Sequence, residues 1–370
     1  MIEVRTERQA RALVLGATIL GTGGGGSPSR GLAAILDALR RGLPVRIVDV
    51  GELPEEGFAV TAYNVGSIAP GAAAARERRI ADPLRRAVEE LEKVLGGRVA
   101  AIVPNEMGGG NTAAALSLAA ELGVPAVDGD LVGRAAPEVH QCSAIVAGVP
   151  LCPSAAVTAS GDVVVVKEYA SIDDYEAVVR HLSVLGGGRA AVADTPMRRG
   201  EAARAVVRGT VSRAMRVGEE VLRAREEGRG PVAAATRALG GWRVFEGVVE
   251  RYEWRDEGGF LLGEAVVRGT GEYRGRTLRT WIKNEHIMVW VDGEPAVMPP
   301  DLFSLLRDDG EPVTNTELKV GDKVHGVAAK APEIWRTPEG LRYFGPRHFG
   351  FDYDYVPVEE LVERALRATR

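Results

Sequence analysis

The sequence predicts an α/β fold: a layered α/β N-terminal domain followed by a second domain that contains helices and a β-barrel-like, β-rich region. Three observations carry this. Short β-branched runs alternate with helical stretches through the first 130 residues. From Trp242 to about Val327 nearly every segment alternates or is rich in β-branched and aromatic residues. At 370 residues the chain is longer than one hydrophobic core usually organises, and its 45% hydrophobic content suffices for two. The expected division is 1–168 and 169–370.

Residues 6–20 place Ala10, Leu13, Val14 and Ala17 at helical spacing behind Thr6 as a cap, although ALVLGATIL also reads as a buried strand. Ser27 and Pro28 form an N-cap and first-turn pair. Leu32, Ile35, Leu36 and Leu39 follow at helical spacing until Gly42. The runs VRIVDV (45–50), FAVTAYNVG (58–66), VAAIVPNE (99–106) and VPAVDGD (124–130) alternate with helical stretches near 76–95 and 112–122, which predicts a largely parallel sheet. VTASGDVVVVKEY (157–169) reads as a hairpin turning at Ser160, Gly161 and Asp162. Helices are expected over 171–186 and 199–226, then a glycine-rich segment at 228–241, a β-rich stretch within 242–345 and an amphipathic helix over 356–370. All five Trp lie beyond residue 240, as a compact β core with large packing residues requires.

The 46 Lys and Arg against 51 Asp and Glu give a net charge of -5 with no basic stripe, so a nucleic-acid partner is not expected. Apolar runs break well before the ~20 residues of a membrane span, and MIEVRTERQARA is too charged for a signal peptide. A cytoplasmic location is expected. Cys142 and Cys152 match neither a disulfide framework nor a zinc cluster and read as buried thiols. Five Asn and two Gln beside abundant Arg fit a heat-adapted source, and two of those five Asn, Asn105 and Asn111, fall in one seven-residue segment.

Three segments could carry chemistry. GTGGGGSP (21–28) has five glycines in six positions before a capped helix, so Thr22, Gly23, Gly24 and Gly25 are candidates to wrap backbone N–H donors around a ligand. The same loop satisfies the literal dinucleotide pattern at Gly21, Gly23 and Gly26, with Asp49 closing the next strand. That reading requires residues 12–16 to be a strand. PNEMGGGN (104–111) ends an apolar strand. There Glu106 is a candidate acid or base, Asn105 and Gly109 candidate ligand contacts, and Asn111 either a contact or the cap of a helix starting at Thr112. VDGDLVGRAAPEVHQC (127–142) gathers Asp128, Asp130, Arg134, Glu138 and His140. The carboxylates can divide acid and base roles, Arg134 can clamp a substrate oxygen, and Asp128, Asp130, Glu138 and His140 are candidate ligands of a divalent metal, though without a recognised spacing. Cys142 as a nucleophile beside His140 is the weaker alternative. His181, His286, His325 and His348 are isolated in sequence and read as structural. FGPRHFGFDYDYVP (344–357) either lines a cleft between the halves or packs a core.

Taken together in order and spacing, GTGGGGSP, PNEMGGGN and VDGDLVGRAAPE, with GTVSRA (209–214) and FGPRHFGFDYDYVP, resemble the S-methyl thiohydantoin desulfurase family over nearly the whole chain. The resemblance implies an α/β domain joined to a β-barrel-like one. It also implies a hydrolase in which water attacks the ring carbon bearing an S-methyl group, methanethiol leaves and a hydantoin remains. Glu106, Asp128 and Asp130 are then the candidate proton carriers. Where the family pattern suggests Gln after Pro137 and Glu138, this chain has His140 and then Gln141. A small-molecule substrate and a homo-oligomer are expected, and the family's association with hydantoinase and oxoprolinase proteins makes such a subunit a candidate partner. Two alternatives from other classes stand beside it, an NAD(P)-dependent oxidoreductase built on the glycine pattern, although NAD is not the expected cofactor, and a non-catalytic hydantoinase or oxoprolinase subunit.

Overall fold

The computed structural model describes residues 1–69 and 77–368. Residue 76 of the predicted 76–95 helix and residues 369–370 of the terminal one lie outside that range. An edge strand β1 (Ile2–Val4) leads to α1 (Glu7–Leu20), a helix and not the alternative strand, closed by a capping box between Thr6 and Gln9. α2 (Pro28–Arg40) starts at the Ser27 cap, which accepts the Arg30 N–H. β2 (Val45–Val48), β3 (Phe58–Gly66), α3 (Pro83–Leu95), β4 (Val99–Val103), α4 (Asn111–Leu122) and the short β5 (Ala126–Val127) complete the alternating part. β6 (Gly129–Asp130), α5 (Ser143–Val146) and the hairpin strands β7 (Ser154–Val157) and β8 (Val163–Val166) follow. Then come α6 (Ile172–Leu185) and β9 (Arg189–Met197).

These strands make one eight-stranded sheet in the order β1-β2-β5-β4-β3-β9-β7-β8. Only β2, β5, β4 and β3 run parallel; every other neighbour is antiparallel, so the sheet is mixed and not largely parallel. The cause is β9. Its RAAVADTPM lies between β3 and β7, pairing Tyr63 with Val192 and Ala156 with Val192, so a strand beyond residue 168 completes the sheet of the first 168.

The predicted 199–226 helix is two helices, α7 (Arg199–Ala205) and α8 (Thr210–Glu226), separated by β10 (Val207–Arg208), which pairs with β6. α8 packs directly on α1. A Cβ on Gly16 would stand 1.8 Å from the Ala214 carbonyl oxygen, and one on Gly218 1.8 Å from that of Ala12, so the two backbones touch where both side chains are absent. After α9 (Pro231–Leu239) the chain builds β11 (Trp242–Glu257), β12 (Phe260–Gly269), β13 (Thr277–Lys283), β14 (Glu285–Val291), β15 (Glu294–Val297), β16 (Leu302–Leu306) and β17 (Lys323–Ala329). They form a seven-stranded antiparallel sheet curled into a half-barrel. α10 (Pro338–Phe344) and α11 (Val358–Ala368) end the chain.

One core joins α1, α4, α8 and α9 to Leu302, Leu306 and Val327 of the half-barrel sheet. A second covers the opposite face of the mixed sheet around Ala101, Val103 and Tyr175. A third fills the half-barrel around Phe245, Leu261 and Phe303. No helix among the described residues is long and apolar enough to cross a membrane.

The glycine loop and the 104–111 loop meet through their backbones. A Cβ on Gly25 would lie 2.5 Å from Gly108 Cα, and one on Gly108 2.4 Å from Gly25 Cα. The Gly25 carbonyl accepts the N–H groups of Gly110 and Asn111, both at 3.0 Å. Gly108→Ala is therefore expected to cost about 2 kcal/mol or more by forcing two main chains apart. Gly42→Ala, left-handed at φ 72° with open space around it, should cost about 1 kcal/mol. Urea unfolding of both variants checks the order; equal losses would refute the backbone contact.

Candidate functional site

Where the two loops join, α2 and α4 direct their N-termini at one cavity of about 160 Å³, bounded by Gly25, Gly26, Ser27, Gly110 and Asn111 on that side. The ends of β3 and β4 supply Asn64, Asn105 and Glu106, the 127–142 loop supplies Ala136 to Val139, and the β13–β14 corner supplies Asn284 and Glu285. Helix N-termini and open amide groups make this wall favourable for negative charge.

Glu106 is 6% exposed, and both of its oxygens are held: Oε1 accepts from Asn111 Nδ2 at 2.8 Å and Oε2 from the Ala136 N–H at 2.9 Å. Burial raises its pKa, while these two donors favour the ionised form. Asn111 does not cap α4, whose N-cap is Gly110. Its amide also exchanges hydrogen bonds with the Asn64 N–H and carbonyl, fixing the face it turns to Glu106. Thr112 closes the turn instead, accepting the Gly108 N–H and donating to the Glu106 carbonyl.

Glu285 faces the same cavity, 2% exposed, with Oε2 lacking any hydrogen-bond partner. Burial, and then the charge of Glu106, push its pKa well above the carboxylate range. Three contacts put it there. Asn284 alone joins β13 to β14, left-handed at φ 56°. The His286 N–H donates to the Thr22 carbonyl at 2.8 Å, and the Asn315 N–H to that of Gly23 at 2.7 Å. The Glu285 carboxylate then occupies the space a side chain on Gly24 would need, 1.8 Å from its Cβ position.

Glu138 lines the cavity but is fully paired, accepting from His348 Nε2 at 2.6 Å, from Gln141 Nε2 at 2.9 Å and from Lys283 Nζ. Burial alone would raise its pKa, but these partners hold it well below the usual range. His348 is therefore not isolated: the 344–357 segment reaches the site, and its Phe344 ring lies 5.2 Å from the Arg134 guanidinium.

Other expected site residues stand elsewhere. Arg134 is wholly buried and spends its donors on Ala135, Pro300, Asp301 and His286 carbonyls and on Thr22 Oγ1. It does not line the cavity and is no substrate clamp; burial lowers its pKa to about 10. Asp128 caps α8, accepting the Ser212 N–H at 2.9 Å, and is not at the cavity. Asp130 is fully buried beneath the same loop, accepting from the Val132 and Gly133 amides. Burial, against those bonds, raises its pKa to about 7. Thr22, Gly23, Gly24 and Gly109 pack behind the wall; of the glycines proposed as contacts only Gly25 reaches the cavity.

His140 pairs with Asp173 at 2.8 Å, and burial raises the Cys142 thiol, so neither forms the nucleophile pair. Among the described residues no group of three or more His, Cys, Asp or Glu is placed to hold a metal. Asp128, Asp130, Glu138 and His140 do not converge. The dinucleotide arrangement is absent too: the glycine loop joins helix α1 to helix α2, so no strand feeds it, and Asp49 caps a short 3-10 turn.

Two family models cover the chain, "S-Me-THD-like, N-terminal domain" over residues 8–168 and "S-Me-THD-like, C-terminal domain" over 170–358. The chain belongs to the S-Me-THD-like family. No curated protein matches it. A crystal structure of a protein from Chromobacterium violaceum is similar over 97% of this chain and 100% of that one, with a TM-score of 0.75 and 23% identity, and shows the same fold. The family boundary at 168–170 falls just before α6, although β9 beyond it lies inside the first sheet.

The main site residue that sequence reasoning missed is Glu285. One signal was legible: a carboxylate, after one of only five Asn, opens the otherwise nearly apolar run HIMVWV, every residue of which is buried. Arg30, Asn64, Arg180 and Arg189 were also missed, because they reach the cavity from elements with no chemical motif.

The raised pKa of Asp130 has a consequence for stability. The folded state prefers the neutral acid, so this contribution is complete below the unfolded value near 4 and is lost as pH rises to about 7. Asp130→Asn, which keeps the acceptor oxygen, should remove on the order of 4 kcal/mol of pH dependence between those limits. Urea unfolding at pH 4.5 and pH 8 checks this; an unchanged pH slope would contradict it.

Proposed function

We propose that the protein is a hydrolase of small thiohydantoin- or hydantoin-like rings, acting by attack of water at the ring carbon bearing an S-methyl group. The observation that carries the reading is one cavity with two buried glutamates in unlike environments, Glu106 held by two donors and Glu285 with an unpartnered oxygen. Membership of the S-Me-THD-like family supports the substrate class.

Like charges confined together do not both ionise readily. The donors from Asn111 and Ala136 make Glu106 the carboxylate, and Glu285, without such donors on Oε2, keeps the proton. Glu106 then takes a proton from water as its oxygen bonds the ring carbon. The C=N electron pair moves to nitrogen, which receives the Glu285 proton. In the second step the C–S bond breaks, methanethiolate takes the proton now on Glu106, and the new hydroxyl returns its proton to Glu285 as the carbonyl forms. Asn105 and the helix N-termini favour the negative charge that develops on the ring. Asp128 and Asp130 have no part in this scheme.

Incubation with an S-methylated thiohydantoin is expected to release methanethiol, detected with a thiol reagent. Glu106→Gln and Glu285→Gln should each lower kcat about 10²–10⁴-fold. Asp128→Asn should leave kcat within about twofold and cost about 1 kcal/mol of stability as a weakened cap. Absence of turnover of thiohydantoin, hydantoin and oxoproline alike would refute the proposal, and full activity of Glu106→Gln would refute the assigned base.

A further inference from the structure

The cavity wall contains charges that the ring chemistry leaves unused. Of its three arginines, Arg180 is committed to Glu176 and to the Pro137 and Gly259 carbonyls, and stacks 4.0 Å over Phe260. Arg30, in the first turn of α2, and Arg189, at the start of β9 opposite Gly66, have no hydrogen-bond or ion-pair partner for their guanidinium groups among the described residues. Both line the cavity from exposed positions, and partial burial and then the charge of Arg30 lower the Arg189 pKa. Many other arginines are ion-paired, as Arg8 is with Glu219 and Glu226 and Arg336 is with Glu359; Arg216, Arg237 and Arg274 also lack a guanidinium partner among the described residues but do not line the cavity. Two unpaired cations lining one cavity can receive an anion from outside. The cavity's carboxylates do not supply it: Glu138 is held by His348 and Lys283, and Glu106 by Asn111 and Ala136.

The first turn of α2 adds to the same field, since Arg30 stands three residues after the Ser27 cap and Gly26 and Ser27 line the wall beside it. A second polar feature lines the same cavity. Glu285 Oε2 is buried and unpartnered, an acid positioned to meet a ring nitrogen. A ligand satisfying both ends has a heterocycle at Glu285 and Glu106 and an anion some atoms away. On a hydantoin skeleton the natural place for it is the carbon that bears an amino-acid-like side arm, and a carboxylate matches the planar guanidinium fork.

We infer that Arg30 and Arg189 form a subsite for a carboxylate on the side arm of the ring substrate, so that the substrates are acidic S-methylated thiohydantoins and the products acidic hydantoins. This rests on the ring-hydrolase reading above, and names the part of the substrate that the two glutamates do not touch. Arg180 has a positioning role only, holding the Pro137 turn against α6.

Calorimetric titration with hydantoin-5-acetate and with the neutral 5-ethylhydantoin tests the subsite without requiring turnover. The wild-type protein is expected to bind the acetate at least about tenfold more tightly at low salt, with the ratio falling as salt is added. In Arg30→Gln/Arg189→Gln that ratio should fall to within about threefold, and each single variant, available if the double variant does not fold, should lose part of it. Equal binding of the two rings by the wild type, or an undiminished ratio in the variants, overturns the subsite while leaving ring hydrolysis standing. Binding of neither ring overturns the subsite and counts against the hydrolase reading as well. Thiol release from a neutral S-methylated ring, measured separately, reports on the hydrolase reading alone.

Discussion

The contact between Gly25 and Gly108 is the constraint from which the site follows. Two main chains approach more closely than any side chain allows, and the Gly25 carbonyl receives both N–H groups at the start of α4. This sets the N-termini of α2 and α4 side by side, and the cavity lies where both point. The remaining glycines serve the same geometry: Gly24 leaves room for the Glu285 carboxylate, and Gly31 lies against the Gly109 carbonyl. Glycine density here is a device for close packing of two loops, and only part of the run meets the cavity.

Around this contact, burial acts on several carboxylates alike, and their partners decide what each becomes. Glu138 is ionised beside His348 and Lys283, Glu106 is stabilised by two neutral donors, and Glu285 is left with an open oxygen. Asp194 is sealed off by the hydroxyls of Thr61, Tyr63, Tyr175 and Thr195. Arg134 is an equally instructive case. A buried guanidinium would be costly if left unpaired, yet here it is satisfied by four carbonyls and a hydroxyl, and so ties the glycine loop to β14 and to the Pro300–Asp301 turn.

Local signals were legible wherever the chemistry was local. The Ser27-Pro28 start of α2, the Thr6 cap, the hairpin of β7 and β8 and the alternating strands beyond Trp242 each depend on neighbours a few residues away. Glu106 was legible because a strand end followed by glycines is a recognisable place for a reactive group. Asp128 and Asp130 carried the same kind of signal and proved to hold the chain together. Clustering in sequence does not say which way adjacent side chains point, and successive residues of an extended segment face opposite sides.

The sequence by itself determined the α/β class, the β-rich second half, the three loops that build the neighbourhood of the site, and the family. Only the tertiary structure decided that β9 returns to the first sheet and makes it mixed, that α1 and α2 flank the glycine loop in place of a strand and a helix, and that Glu285 faces the same cavity as Glu106. The physical reason is distance along the chain. Glu285 is brought to Glu106 by a backbone bond to Thr22 and by the absent side chain of Gly24, contacts that form between residues more than 250 positions apart and leave no periodicity or spacing to read.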